Sequence, residues 1–368
     1  MKKGTDNRIK SLIEQGISDK AFSGALLLVA QGGKKIFFQE AGQVLSGPDA
    51  WPVKKDTIFD LASLTKVLAT MPAMMWLIDH EKAELDQPLS EILTPIQHTD
   101  KEKITLRHLL SHTSGFADWK PFYLELQRHR PFERKRALRD LLVNEPLAYV
   151  PGTDFIYSDL GFMLLEWVIE ELAGEPLDQF VKSIIFNPLN LNRTFFYKNM
   201  EQPGFAKNEF AATERCAWRG HLLQGEVHDE NASAVGGFSG HSGLFGTAEE
   251  TFNIVNLLRT HYLGQRKDYF KPGTVKKFCR TQGLVNGCTR ALGWDTPSSH
   301  GSSAGRYFSP NSVGHLGFTG TSIWMDLEKD VIAILLTNRI HPTRENKKIR
   351  AFRPMIHDTV MEELGLDK

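Results

Sequence analysis

Strand-forming segments lie at both ends of this 368-residue chain, and a long stretch with helical periodicity separates them. Near the N-terminus, Gly24–Ala30 and Lys35–Gln39 are strand-like runs joined by the turn-forming pair Gly32-Gly33. Near the C-terminus, Thr321–Asp326 and Val331–Thr337 are β-rich runs separated by a polar turn. If the two pairs share one sheet, the helical middle is an insertion. The pattern predicts an α/β (α+β) fold: a sheet built from distant segments, flanked by helices, with an inserted, mainly helical domain.

Helices are predicted where apolar residues recur at helical spacing. These segments are residues 6–17, 67–78, 106–110, 135–143, 160–172, 177–186, 248–258 and 352–364. The segment from about 195 to 246 is rich in Gly, Asn, His and Asp and shows little periodicity, so we interpret it as a long loop that carries function or lies across a site. We assign residues 1–60 and 235–368 to the sheet domain and 61–234 to the helical domain, with the active site between them.

Charge and cysteine content exclude several classes of protein. Lys plus Arg and Asp plus Glu both total 44, so there is no basic footprint for nucleic acid and no polybasic membrane patch. Three cysteines without a C-x-x-C spacing give neither a disulfide framework nor a thiolate zinc site. No apolar run is long enough for a membrane segment or follows Lys2-Lys3 as in a signal peptide. We expect a protein that acts on small molecules in the cytoplasm, or in the periplasm or outside the cell if a leader has been removed.

A serine and a lysine three residues apart suggest nucleophilic catalysis. Ser63 and Lys66 open the most apolar predicted helix of the chain, and an i, i+3 pair shares one helix face. A serine hydroxyl needs a base to take its proton, and burial lowers the pKa of a lysine towards neutrality. The Ser63 amide at a helix N-terminus would help to hold an oxyanion. The alternative is a helix-capping serine followed by a solvated lysine.

A tyrosine that passes protons would complete such a site, and two candidates are present. Tyr157 follows the turn Pro151-Gly152 and precedes the helical run that begins at Leu160, whereas Tyr197 lies in a Tyr-Lys-Asn sequence with loop-like flanks. The loop-to-helix junction favours Tyr157 as the residue that points into a cleft. The alternative is that Tyr157 covers an apolar edge while Asp159 caps the helix.

A strand edge beside the nucleophile is the third element. His315-Leu316-Gly317 precedes the terminal strand pair, and Gly317 would let a substrate lie against the strand. The amide of Phe318 would be the second oxyanion donor. The competing candidate, His241, lies in a Gly-rich loop before a helix, which is a poor setting for a strand edge. We expect it to line the site as a binding residue.

These three elements, in this order, resemble the serine β-lactamase and penicillin-binding-protein superfamily, particularly its class C branch with DD-peptidases and esterases. The run Ile104–Gly115 and the sequence Tyr157–Phe162 strengthen the resemblance, which covers nearly the whole chain. It implies a β-lactamase/transpeptidase-like fold with an antiparallel sheet. It also implies that Ser63 is acylated, that Lys66 accepts its proton and that Tyr157 relays protons. No cofactor is implied.

Two departures from the family pattern point away from β-lactams. Asp159 stands where the family usually has asparagine, which adds negative charge beside Lys66 and would raise the pKa of that lysine. His315 stands where many relatives have lysine, so its contact with a substrate carboxylate would depend on pH and weaken when the imidazole is neutral.

A narrower resemblance suggests the substrate. Val227–Ala232, Gly240–Phe245 and Thr337–Pro342 resemble a subgroup with weak DD-carboxypeptidases and muropeptide amidases of cell-wall recycling. The resemblance implies an amide of a peptidoglycan fragment as substrate, with Asp229, Glu230 and Asn231 shaping the pocket. The alternatives are a broad-specificity carboxylesterase or weak β-lactamase, and a non-catalytic module that binds wall fragments. His221, His228, Asp229 and His241 also offer zinc ligands, but without regular spacing we interpret them as hydrogen-bonded loop residues and predict no metal.

Overall fold

A five-stranded antiparallel sheet forms the base of the fold, with its strands in the spatial order 34–42, 24–31, 331–337, 322–326 and 312–316. The computed structural model describes residues 5–47, 50–199, 201 and 204–368. Leu28 of the first strand lies opposite Ile334 of the last, so the two ends of the chain pair in the sheet, which confirms the predicted architecture. The strands are β1 (Gly24–Gln31), β2 (Lys34–Gly42), β8 (Ser312–Leu316), β9 (Ser322–Asp326) and β10 (Val331–Thr337).

The helices agree with the apolar periodicity, with boundaries shifted by a few residues. Two predicted helices change form along their length: residues 66–70 and 182–186 adopt wide helical turns next to regular helix. The α-helices are α1 (Thr5–Ser18), α2 (Met71–Asp79), α3 (Leu106–Leu110), α4 (Tyr123–Leu126), α5 (Arg134–Asn144), α6 (Asp159–Ala173), α7 (Leu177–Val181), α8 (Glu230–Ala234), α9 (Ala248–Tyr262), α10 (Pro272–Phe278) and α11 (Ile349–Glu363).

The two faces of the sheet bury different residues because side chains alternate along a strand. Ala25, Leu27 and Val29 pack in a core with residues of α1 and α11. Leu26 and Leu28 face the other way, into a larger core that continues through α9, α2 and α6. The inserted helices therefore share one apolar core with the sheet, which fixes their position relative to its strands.

The segment predicted as a long loop contains short strands that position the site. Strand β7 (Leu244–Gly246) pairs with β3 (Phe59–Asp60) on one side and β4 (Phe195–Phe196) on the other, and β5 (Arg215–Cys216) pairs with β6 (His221–Leu222). Strands of two or three residues are too short to show periodicity in the sequence. Because β3 ends just before Ser63, its pairing with β7 brings residues 241–246 beside the nucleophile. In the described part of the chain, no helix combines the length and apolarity needed to cross a bilayer.

Candidate active site

Ser63 lies in a tight turn that the surrounding side chains hold in place. Residues 62–64 form a short 3-10 turn, and Ala62 has a positive φ of 47°, a conformation that non-glycine residues rarely adopt. The buried Asp60 carboxylate accepts hydrogen bonds from the amides of Ala62 (2.9 Å) and His228 (2.7 Å). Burial raises the pKa of Asp60, an effect that these amides oppose. Strain of this kind persists where the surroundings over-determine it, as at many active sites.

Lys66 is fully buried, and its ammonium group donates to three oxygens. Its Nζ lies 3.2 Å from Ser63 Oγ, 2.7 Å from Asp159 Oδ1 and 3.2 Å from the carbonyl oxygen of His241. The structure therefore joins the predicted nucleophile and base, with Asp159 as a direct partner of the lysine. The tight turn at Ser63 favours this contact because residues i and i+3 nearly eclipse in 3-10 geometry.

The pKa of Lys66 is raised above its ordinary value. Burial favours the neutral amine, but the charge of the Asp159 carboxylate, with a smaller contribution from Tyr157, outweighs it. Burial therefore acts in the expected direction, but the net shift is upward, in the direction expected of Asp159. Lys66 rests as an ammonium and must lose a proton before it can accept one from Ser63.

Tyr157 lies beside Lys66, and two cationic side chains pack against its ring. Lys66 Nζ lies 5.0 Å and the Arg290 guanidinium 5.2 Å from the ring centre. Burial raises the pKa of Tyr157, an effect opposed by the Lys66 charge. Within the described residues the phenol oxygen is buried without a hydrogen-bond partner. It is therefore available to exchange a proton with a substrate or with Ser63.

Two imidazoles flank Tyr157 in different tautomers. His112 Nδ1 accepts from the Ser158 amide (3.0 Å), whereas His315 Nδ1 donates to the Leu316 carbonyl (2.9 Å). Their ring centres lie 4.6 and 5.8 Å from that of Tyr157. Burial, with nearby positive charges, lowers the pKa of both well below the usual value, so both are neutral. His315 thus presents an acceptor Nε2 rather than a cation, the weaker form expected for a contact with a carboxylate.

The turn after β8 is attached to the nucleophile turn. Thr319 Oγ1 donates to the Asp60 carbonyl (2.7 Å), and Thr321 Oγ1 donates to the Leu61 carbonyl (3.2 Å). Phe318 is 48% exposed and lines the cleft, and across the described ranges its amide has no protein acceptor. This amide is therefore free to hold an oxyanion, as predicted from the sequence.

Gly317 is needed for close packing of the strand against the nucleophile turn. A Cβ atom at this position would lie 2.7 Å from the Leu61 carbonyl oxygen and would also collide with Thr321 Oγ1. The strand edge and the nucleophile turn can approach each other only because residue 317 has no side chain.

We predict that Gly317→Ala lowers kcat about 10- to 100-fold, because displacing the Phe318 amide by about 1 Å misplaces an oxyanion donor. Steady-state kinetics on an ester substrate measure this effect. Gly273→Ala is the control, since a Cβ there meets nothing within 4 Å. An unchanged kcat for Gly317→Ala would contradict this role of the glycine.

Asp229 and His241 form a buried pair next to Lys66. Their Oδ1 and Nε2 atoms lie 3.0 Å apart. Although burial opposes ionisation of both groups, their mutual attraction raises the pKa of His241 and holds that of Asp229 well below its usual range. Asp229 lines the cleft, and Glu230, which lines it too, pairs with Arg344 at 2.6 Å.

The Asn231 side chain is fully buried and forms hydrogen bonds with backbone groups instead of lining the cleft. Its Nδ2 donates to the Lys120 carbonyl and its Oδ1 accepts from the Tyr123 amide, both at 2.8 Å. Asn231, predicted as a substrate-binding residue that shapes the pocket, therefore acts on the pocket indirectly, through the segment that it holds.

We predict that Asn231→Ala lowers the free energy of unfolding by about 1–3 kcal/mol, because it leaves two backbone groups unpaired. Urea denaturation measures the change. Asn286→Ala, on an exposed asparagine, should change stability little. Equal stability of the two variants would show that the Asn231 contacts contribute nothing.

The alternative tyrosine and the candidate zinc ligands do not form the sites considered for them from the sequence. Tyr197 packs its ring on Phe245 and does not line the cleft around Ser63. His221 pairs with Glu226, and His228 with Glu214, so the four proposed zinc ligands do not converge. Asp159, Asp229 and His241 do approach one another within 4.8 Å. The negative charge of Asp159 is already balanced by Lys66, and that of Asp229 by His241.

Ser63 opens into a cleft of about 790 Å³. Asp159, His315, Gly317 and Phe318 also line it, together with five arginines that were not predicted as site residues: Arg290, Arg339, Arg344, Arg350 and Arg353. His112 lies inside the recognised run Ile104–Gly115, but its contact with Tyr157 depends on folding. Arg339 lies in the recognised run Thr337–Pro342, but only the tertiary structure brings the five arginines together.

A buried lysine bonded to a serine at the base of a cleft, with a phenol beside it, defines a serine hydrolase of the Ser-x-x-Lys type. The chain belongs to the β-lactamase family, whose model, described as Beta-lactamase, matches residues 9–353.

Individual relatives agree with this family. An N-acetylmuramyl-L-alanine amidase of Bacillus subtilis (strain 168) is 32% identical over 91% of this chain and 81% of its own length. A Salmonella agona (strain SL483) protein, provisionally named D-alanyl-D-alanine carboxypeptidase, is 30% identical over 80% and 72%. The structure of EstCE1, a hydrolase with promiscuous acyltransferase activity, superposes with a TM-score of 0.76 at 24% identity, over 97% of this chain and 98% of its own. That likeness shows the fold.

Proposed function

We propose that the protein hydrolyses an amide of a peptidoglycan fragment, at the bond between a muramyl lactyl group and L-alanine, through an acyl-enzyme on Ser63. The hydrogen bond from Lys66 to Ser63 at the base of the cleft carries this proposal, since it couples the nucleophile to a proton carrier. The likeness to the Bacillus subtilis amidase supports the substrate.

The resting protonation states define the first step. Because Lys66 rests as an ammonium 2.7 Å from Asp159, it first loses one proton to solvent, and the neutral amine then accepts the Ser63 proton. Ser63 Oγ attacks the carbonyl carbon while the Phe318 amide stabilises the oxyanion. The proton on Lys66 reaches the leaving amine through Tyr157 as the C–N bond breaks. Water then hydrolyses the ester with the same groups acting in reverse.

The charge of the cleft fits an anionic fragment. Among the described residues, no carboxylate forms an ion pair with Arg339, Arg350 or Arg353. Burial and mutual repulsion lower the pKa of Arg339 to about 10 and that of Arg353 to about 9. A carboxylate of a peptide fragment bound nearby would relieve this repulsion.

A second candidate is the removal of a terminal D-alanine, favoured by the likeness to the Salmonella agona relative. The chirality of the released alanine separates the two reactions. The protein is incubated with N-acetylmuramyl-L-alanine and with an acyl-D-Ala-D-Ala peptide, and L- and D-alanine are measured with stereospecific enzymes. L-alanine from the first substrate, absent with Ser63→Ala, supports the amidase. Release of D-alanine from the second substrate, without L-alanine from the first, would contradict the amidase and support the carboxypeptidase.

A further inference from the structure

An aromatic patch lies at the mouth of the active-site cleft. Trp119 lines the cleft and is 39% exposed, and Trp218 is 37% exposed. Tyr123 lies between them, with ring centres 6.4 Å from Trp119 and 4.8 Å from Trp218. Large aromatic side chains are usually buried, so three contiguous ones at a cleft mouth indicate a binding surface.

The patch is rigidly attached to the catalytic residues. Ser158 Oγ donates to the Ala117 carbonyl (2.6 Å), and the Asp159 amide donates to the Asp118 carbonyl (2.8 Å). Asn231 holds the other end of this segment at Lys120 and Tyr123. A group that stacks on Trp119 therefore lies at a fixed offset from Lys66 and Ser63.

Trp218 is held in place by Arg219 as well as by Tyr123. The Arg219 guanidinium lies 5.1 Å from its ring centre and is itself fixed by the carbonyls of Val227, His228 and Asp229. A partly exposed indole held in this way binds with little loss of conformational entropy.

The polar group beside the patch favours a sugar. Asp118 lines the cleft next to Trp119 and forms no ion pair within the described ranges, so its carboxylate can accept from hydroxyl groups. A pyranose ring offers both C–H groups for an aromatic face and hydroxyl groups for such a carboxylate.

We propose that Trp119, Tyr123 and Trp218, with Asp118, form a subsite for the sugar ring of the substrate. The assignment rests on the proposed function for the identity of the sugar, an N-acetylmuramyl group. Asn231 is then a positioning residue of this subsite, because its side-chain amide holds the backbone at Lys120 and Tyr123.

Binding to Ser63→Ala protein tests the subsite without turnover. The ligands are N-acetylmuramyl-L-alanine and D-lactyl-L-alanine, which contain the same amide with and without the sugar, and calorimetry measures Kd. We expect Trp119→Ala to weaken binding of the sugar-bearing ligand about 10-fold and binding of the sugar-free ligand less than about 2-fold. Trp51→Ala, on an exposed tryptophan outside the cleft lining, is the control and should change neither.

Equal effects of Trp119→Ala on both ligands, or no effect on either, would overturn the subsite. Trp119→Phe keeps an aromatic face and should retain part of the preference for the sugar, which separates lost stacking from misfolding. Because binding is measured without cleavage, a preference for the sugar in a protein that does not hydrolyse the lactyl amide would refute the proposed reaction while the subsite stands.

Discussion

Replacing Ser63 with alanine should lower kcat/KM by at least about 10³-fold for every substrate the protein hydrolyses, because among the described cleft serines only Ser63 bonds to the lysine that can take its proton. The effect should fall on kcat rather than KM, since Ser63 is only partly buried at the base of the cleft and most lining residues remain. Steady-state kinetics on an ester and on a muramyl amide measure both constants.

Ser303→Ala is a matched control for this variant. Ser303 also lines the cleft, and its hydroxyl makes no hydrogen bond within the described residues. Its removal should leave kcat/KM within about 2-fold, as for a surface substitution away from specific interactions. Comparable losses in the two variants would mean that the cleft, rather than the Ser63 hydroxyl, is what the first substitution disturbs.

Asp159→Asn should shift the acid limb of the kcat/KM profile to lower pH by about 1 unit or more. The Asp159 carboxylate raises the pKa of Lys66, and the neutral amine is the form that accepts the Ser63 proton. Removing that charge lowers the pKa of Lys66, so the active form appears at lower pH. The profile reports the free enzyme, which is the state the structure describes.

Asp118→Asn, measured on a sugar-free ester, is the control, because Asp118 lines the cleft without contacting Lys66. An acid limb that stays in place would show that Asp159 does not control the protonation of Lys66.

Parts of the site encoded by neighbouring residues were predictable from the sequence. Ser63 and Lys66 are three positions apart, so any helical turn brings them together, and the loop-to-helix junction identified Tyr157. The strand pairs at both ends likewise predicted the sheet, because alternation and turn residues are local signals.

Contacts between distant segments were not predictable in this way. Asn231 binds the backbone more than 100 positions away, and its sequence neighbours Asp229 and Glu230 made a direct substrate contact the natural expectation. The direction of the Lys66 pKa depended on whether burial or Asp159 has the larger effect, which only their separation decides. The sequence also singled out Gly317, but its close packing against Leu61 and Thr321 is visible only in the fold.

Intact-mass measurement after reaction with a fluorophosphonate tests the central claim most directly. Such reagents phosphonylate an activated serine and displace fluoride, so a single adduct is expected on the wild-type protein and none on Ser63→Ala. Peptide mapping should place the added mass on Ser63. An adduct that persists in Ser63→Ala would contradict the assignment of Ser63 as the nucleophile, and so would the absence of any adduct on the wild-type protein.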